Sequence, residues 1–117
     1  MLRTALSLAV CFVLAGAVPV ALAGNQPSAS MATSPGCAGA VYSWVNVRKA
    51  AVAHIEVRPD GVLLTTAHSG PVGANGSFTL PSDITFVPGQ HYTLLGLLTD
   101  STGRRISQSG AAWWGYC

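Results

Sequence analysis

His54, Glu56 and His68 are the residue types that first invite a chemical reading. They sit around a hairpin pattern. Ala51 to Val57 (AVAHIEV) alternates, with Ala53, Ile55 and Val57 on one face and His54 and Glu56 on the other. That period of two marks a half-buried strand. Pro59-Asp60-Gly61 then supplies turn chemistry, proline presetting φ at the first central position and glycine taking the left-handed residue of a bulged hairpin. Val62 to Ala67 (VLLTTA) returns as the partner strand. In this register Arg58 faces Val62, His54 faces Thr66, and His68 lies diagonally from His54. Two imidazoles and a carboxylate on one face could ligate zinc or copper. The spacing fits no compact ligand motif, so the expectation is a solvated sheet face with no metal and no cofactor. His91 opens a later strand without an evident partner.

Hydrolytic chemistry finds little footing. The chain has no Gly-x-Ser-x-Gly elbow and no His-Glu-x-x-His, the spacings that present an activated serine or a zinc-bound water. A Ser-His-Asp set can assemble from distant positions, yet nothing singles out one serine. Paired carboxylates for glycoside hydrolysis would have to come from Glu56, Asp60, Asp83 and Asp100. Asp60 and Asp100 are better explained as turn formers. The chain is not expected to be an enzyme, and no catalytic residue is assigned.

The aromatics carry a stronger signal. Trp113 and Trp114 are adjacent, so in a strand they point to opposite faces. One can enter the core with Ala111 while the other shares its face with Tyr116. Tyr42 and Trp44 likewise share a face of an early strand. Were these two strands paired, their rings would form a continuous platform able to stack on a polysaccharide. Trp44, Trp113, Trp114 and Tyr116 are therefore the candidate ligand-binding aromatics, with core packing as the competing explanation. Arg104 and Arg105 form a second candidate, an exposed dibasic pair that could meet an acidic partner or a trypsin-like protease. Asn75-Gly76-Ser77 is formally a glycosylation acceptor, though its simpler role is a turn.

These residues must be positioned by a short chain. Met1 to Ala23 reads as a secretory signal peptide: Arg3 gives the positive start, Ala5 to Val18 the apolar run, and Ala21-Leu22-Ala23 a small-x-small cleavage site. The run is shorter than the roughly 20 apolar residues of a membrane span. Leu8-Ala9-Val10-Cys11 only superficially resembles a lipidation site. The chain is 50% hydrophobic overall, but the leader inflates that figure, and no membrane association of the mature form is expected. Beyond it, Arg48, Lys49, Arg58, Arg104 and Arg105 face Glu56, Asp60, Asp83 and Asp100. This near-neutral balance, with no basic stripe, excludes a nucleic-acid partner.

Cys11 leaves with the signal, and Cys37 and Cys117 remain. A pair in a secreted chain of this size points to one disulfide. Closing a loop of about 80 residues is worth roughly 4.5 kcal/mol in the chain-entropy treatment. An intermolecular bridge through Cys117 is the competing arrangement.

Residues 24–36 (GNQPSASMATSPG) are rich in Ser, Ala, Pro and Gly and read as a flexible leader. The domain proper is placed at 37–117, entirely β. Strands are expected over Val41 to Val47, Ala51 to Val57, Val62 to Ala67, Ser77 to Leu80, Asp83 to Val87, His91 to Thr99, and from Arg105 to the C-terminus. Ser69 to Gly76 reads as a loop, Pro88-Gly89 and Asp100 to Gly103 as turns. Short strands at this spacing argue for an antiparallel sandwich or small barrel.

Between Asp83 and Ser109 the chain resembles the later half of a fibronectin type III or bacterial immunoglobulin-like domain. The residues that carry this are Val87-x-Gly89-x-x-Tyr92-x-Leu94, Thr99-Asp100-x-x-Gly103 and Ser107, with Asn75-Gly76-Ser77-Phe78 upstream. The resemblance implies an immunoglobulin-like β-sandwich, makes Tyr92 a candidate tyrosine corner, and places Arg104 and Arg105 in a loop that often serves recognition. A Cys37–Cys117 bond departs from the pattern by drawing the two ends together. It favours antiparallel pairing of first and last strands, or tails folded across the sandwich.

The expectation is thus a secreted, non-catalytic, monomeric binding module whose partner is an extracellular protein or a polysaccharide. Carbohydrate binding through Trp113 or Trp114 is the specific alternative. A small protease inhibitor and a self-assembling surface protein are further ones.

Overall fold

The computed structural model describes residues 26–33 and 36–117. The apolar segment read as a signal peptide lies outside them. Seven strands form two antiparallel sheets packed as a sandwich: β1 (Ser28–Ala32), β2 (Val41–Val45), β3 (Val52–Pro59), β4 (Thr65–Pro71), β5 (Gly76–Thr79), β6 (His91–Thr99) and β7 (Ala111–Tyr116). One sheet runs β1-β2-β5, the other β4-β3-β6-β7.

Alternation builds the core. Tyr42 and Trp44 of β2, Ala53, Ile55 and Val57 of β3, and Tyr92, Leu94 and Leu98 of β6 all point between the sheets and are buried. Stripes of inward apolar residues from two facing sheets give a sandwich its driving force. Gly96 lies among them because a Cβ there would collide with the Tyr42 ring.

The leader reading is corrected for part of its length. Ser28–Ala32 is an edge strand, paired with β2 from Ser28↔Val45 to Ala32↔Val41. Its low-complexity composition hides a period of two: Ala29 and Met31 pack against the core while the intervening residues face solvent. A second correction concerns Asp83 to Val87, which forms no strand. Ile84 and Phe86 still pack inward, but the Val87 N–H donates to the Tyr92 hydroxyl at 2.9 Å rather than to a neighbouring strand. Tyr92 is thereby tied to the backbone five residues upstream.

The hairpin after β3 also differs from expectation. Asp60 and Gly61 both have positive φ, 51° and 83°, and the Val62 N–H reaches the Pro59 carbonyl at 3.0 Å. Asp-Gly therefore occupies the two central positions of a type I′ turn, and proline precedes them. Val62, Leu63 and Leu64 stay outside the strand and are exposed. The ladder resumes with Val57↔Thr65 and continues through Glu56↔Thr66 to His54↔His68. Ser69, Gly70 and Pro71, read as loop, complete β4.

The final strand is shorter than foreseen. Arg105 makes only an isolated bridge to Thr99, and a 3₁₀ turn at Ser107–Ser109 precedes β7. Cys37 and Cys117 are disulfide-bonded, with Cα atoms 5.5 Å apart. Their bond does not pair the first and last strands: β1 runs along β2, and β7 along β6. It ties the turn before β2 to the residue after β7, so the staple joins one sheet to the other.

Candidate functional site

The outer face of β4-β3-β6-β7 gathers most of the chemistry-bearing side chains, and the register decides who neighbours whom. Trp114 pairs with Thr93, which pairs with Arg58. Tyr116 pairs with His91, and Ala112 with Leu95 and then Glu56. Strands about 4.8 Å apart put Trp114 and Arg58 about 10 Å from each other across one row.

Trp114 and Tyr116 are 68% and 74% exposed. They alternate outward from an edge strand, so both rings stand on one face about 7 Å apart along it. His91, without an obvious partner in the sequence, lies against Tyr116 in a T-shaped contact with ring centroids 5.2 Å apart. Arg58 donates to Glu56 Oε1 from Nη2 at 2.6 Å and from Nε at 3.0 Å. Gln90 donates to Asp60 Oδ2 at 2.7 Å. The result is two exposed rings beside hydroxyl, imidazole, guanidinium and carboxylate groups. Such a face can stack on a flat ligand and hydrogen-bond its edge.

The other candidate aromatics separate from this pair. Trp44 is 2% exposed and donates its indole N–H to the Gly73 carbonyl at 2.9 Å. It is a core residue and cannot stack on a ligand, because β2 turns it inward beside Tyr42, their centroids 5.2 Å apart. Trp113 packs against the core with Ala111. The platform joining the aromatics of β2 and β7 does not form, since the two strands belong to different sheets.

Arg104 and Arg105 are exposed. Their loop is ordered by Asp100, whose Oδ1 accepts from Thr102 Oγ1 at 2.6 Å and from the Thr102 and Arg104 N–H groups at 2.9 and 3.0 Å. The Thr102 hydroxyl above all, with the backbone donors, holds the Asp100 carboxyl below the ordinary carboxylate range. An open cleft of about 230 Å³ lies elsewhere, lined by Pro27, Asn46, Val47, Arg48, Ile106 and Gln108, and offers no acid–base pair.

Thr93, His91, Arg58 and Glu56 as neighbours of the exposed rings were missed in the sequence. Only pairing partners along β6 could have revealed them. Comparison of the chain with protein-family models, with curated proteins and with solved structures returns no match.

Proposed function

We propose that this chain is a secreted, non-catalytic binding module that holds an extracellular glycan against the outer face of β6 and β7. One observation carries the reading. Trp114 and Tyr116 both stand largely exposed on the same face of an edge strand. Large exposed apolar side chains in adjacent positions mark contact surfaces. The polar row of Thr93, His91, Arg58 and Glu56 beside them suits a ligand with a ring face and hydroxyl edges. The apolar N-terminal segment and the Cys37–Cys117 bond both suit an oxidising compartment.

The proposal extends to kinship with fibronectin type III and immunoglobulin-like domains. A three-stranded sheet facing a four-stranded one, with Tyr92 bonded back to Val87, supports it. Such kinship bears on fold and does not supply the ligand.

Tryptophan fluorescence of the mature domain, titrated with soluble cell-wall and plant polysaccharides, tests the reading. A saturable shift that disappears in Trp114→Ala and persists in Arg104→Ala/Arg105→Ala supports it. Silence across the panel would overturn the glycan reading. Stoichiometric inhibition of a trypsin-like protease, lost in the double arginine variant, would move the function to the loop after β6.

A further inference from the structure

The face that carries the exposed aromatics also carries a second arrangement, further along β3 and β4. His54 and His68 are direct cross-strand partners. Their Nδ1 atoms approach to 2.7 Å, with the rings nearly perpendicular and their centroids 4.9 Å apart. On its far side, His54 Nε2 contacts Thr99 Oγ1 at 2.8 Å. His68 is exposed, so the pair opens to solvent on one side.

Two ring nitrogens this close share a single proton. When His54 donates its Nε2–H to Thr99, its Nδ1 presents a lone pair, and the proton between the rings belongs to His68. Moving that proton to the solvent-facing Nε2 of His68 is a tautomer change that releases nothing. It leaves a lone pair on each Nδ1, and a modest turn of the rings about χ2 directs both to a common ion. A ligating histidine is commonly oriented by a hydrogen bond from its other nitrogen, and Thr99 supplies one.

We propose that His54 and His68 form a binding site for a divalent late transition-metal ion, copper or nickel in preference to zinc. The Irving–Williams order, with imidazole as donor, sets the preference. Two nitrogens about 2.0–2.1 Å from a metal lie about 2.9 Å apart at right angles and about 3.3 Å apart in a tetrahedron. The 2.7 Å contact is a hydrogen-bond separation, and opening it by a few tenths of an ångström admits an ion between the rings. Water completes the shell, since no cluster of three or more metal-ligating side chains exists among the described residues. Glu56 is not counted as a ligand because Arg58 holds its Oε1 from two nitrogens. The expected register paired His54 with Thr66, which set His68 diagonally from it and left the spacing unlike a ligand motif. The ladder displaces β4 by two residues from that register and sets the imidazoles opposite each other.

Titration of the mature domain with Cu²⁺ in a non-coordinating buffer, followed by calorimetry and pulsed electron paramagnetic resonance, tests the site. One ion per chain is expected, coupled to two imidazole nitrogens and held more tightly than Zn²⁺. His54→Gln and His68→Gln should each weaken binding at least about tenfold, Thr99→Val less so, and His91→Gln should leave it unchanged. Nitrogen couplings read on the unaltered protein do not depend on how the variants fold. A spectrum with fewer than two imidazole nitrogens, tighter Zn²⁺ binding, or affinity indifferent to both histidine variants would overturn the proposal.

Discussion

The Tyr42 hydroxyl donates a hydrogen bond to the backbone carbonyl of Ser109, 67 residues along the chain, and neither residue touches solvent. The contact ties β2 of one sheet to the turn that precedes β7 of the other. Ser109 extends it: its Oγ accepts from the Leu98 N–H at 2.9 Å and donates to the Ile106 carbonyl at 2.6 Å. A buried polar group is tolerable only when so paired. Tyr42→Phe should therefore lower unfolding free energy by about 1–3 kcal/mol. Tyr116→Phe, on the exposed face, should change it by less than about 0.5 kcal/mol. Denaturant midpoints of the two variants check this, and equal effects would remove Tyr42 from the framework.

The same hydroxyl gives the fold an alkaline limit. Burial pushes the Tyr42 phenol up to about 12, against the opposing effects of its bond to Ser109 and of the Arg105 charge. An unfolded tyrosine ionises near pH 10. Between about pH 10 and 12 the unfolded chain therefore loses a proton that the folded chain keeps. Stability should be intact below about pH 10 and fall as pH climbs through about 12, by roughly 3 kcal/mol from this group. Urea midpoints measured across that range should decline less steeply in Tyr42→Phe. An identical decline would assign the alkaline transition to other groups.

Gly96 offers a test of core density. Its missing Cβ is the space that the Tyr42 ring fills. Gly96→Ala should overpack the sandwich and cost about 1–3 kcal/mol. An alanine at Gly36, where nothing lies nearby, should be close to neutral. Thermal midpoints of the two variants would separate a steric cause from a general glycine effect.

Two tryptophans should behave in opposite ways. Trp44→Ala removes a buried ring and its bond to Gly73, and is expected to cost about 3–5 kcal/mol. Trp114→Ala should leave stability within about 0.5 kcal/mol and abolish glycan binding. Parallel unfolding and binding curves decide it. A stability loss at Trp114 comparable with that at Trp44 would make its ring structural.

Reduction of Cys37–Cys117 should destabilise the domain by about 4.5 kcal/mol if loop closure dominates. A Cys37→Ser/Cys117→Ser variant should match the reduced wild type. The monomer should gain two alkylatable thiols only after reduction; thiols free beforehand, or a reducible dimer, would contradict a bridge within one chain.

Alternation and turn chemistry by themselves determined much of this protein. β6 was legible to the residue because an apolar stripe at period two leaves no competing reading of His91 to Thr99. The disulfide followed from cysteine arithmetic, and the opposite fates of Trp113 and Trp114 from their adjacency. These are local properties, set by covalent spacing and the pleat. Tertiary structure decided whatever depended on pairing. Ser28–Ala32 became a strand because β2 gave its backbone a partner, whereas Asp83 to Val87 found none and bonded to Tyr92 instead. Trp44 was drawn from the candidate surface into the core by the sheet it joined. His54 met His68 only through the register after the Asp60-Gly61 turn. Hydrogen-bond ladders join residues distant in sequence, and a small shift in register changes every neighbour a side chain has.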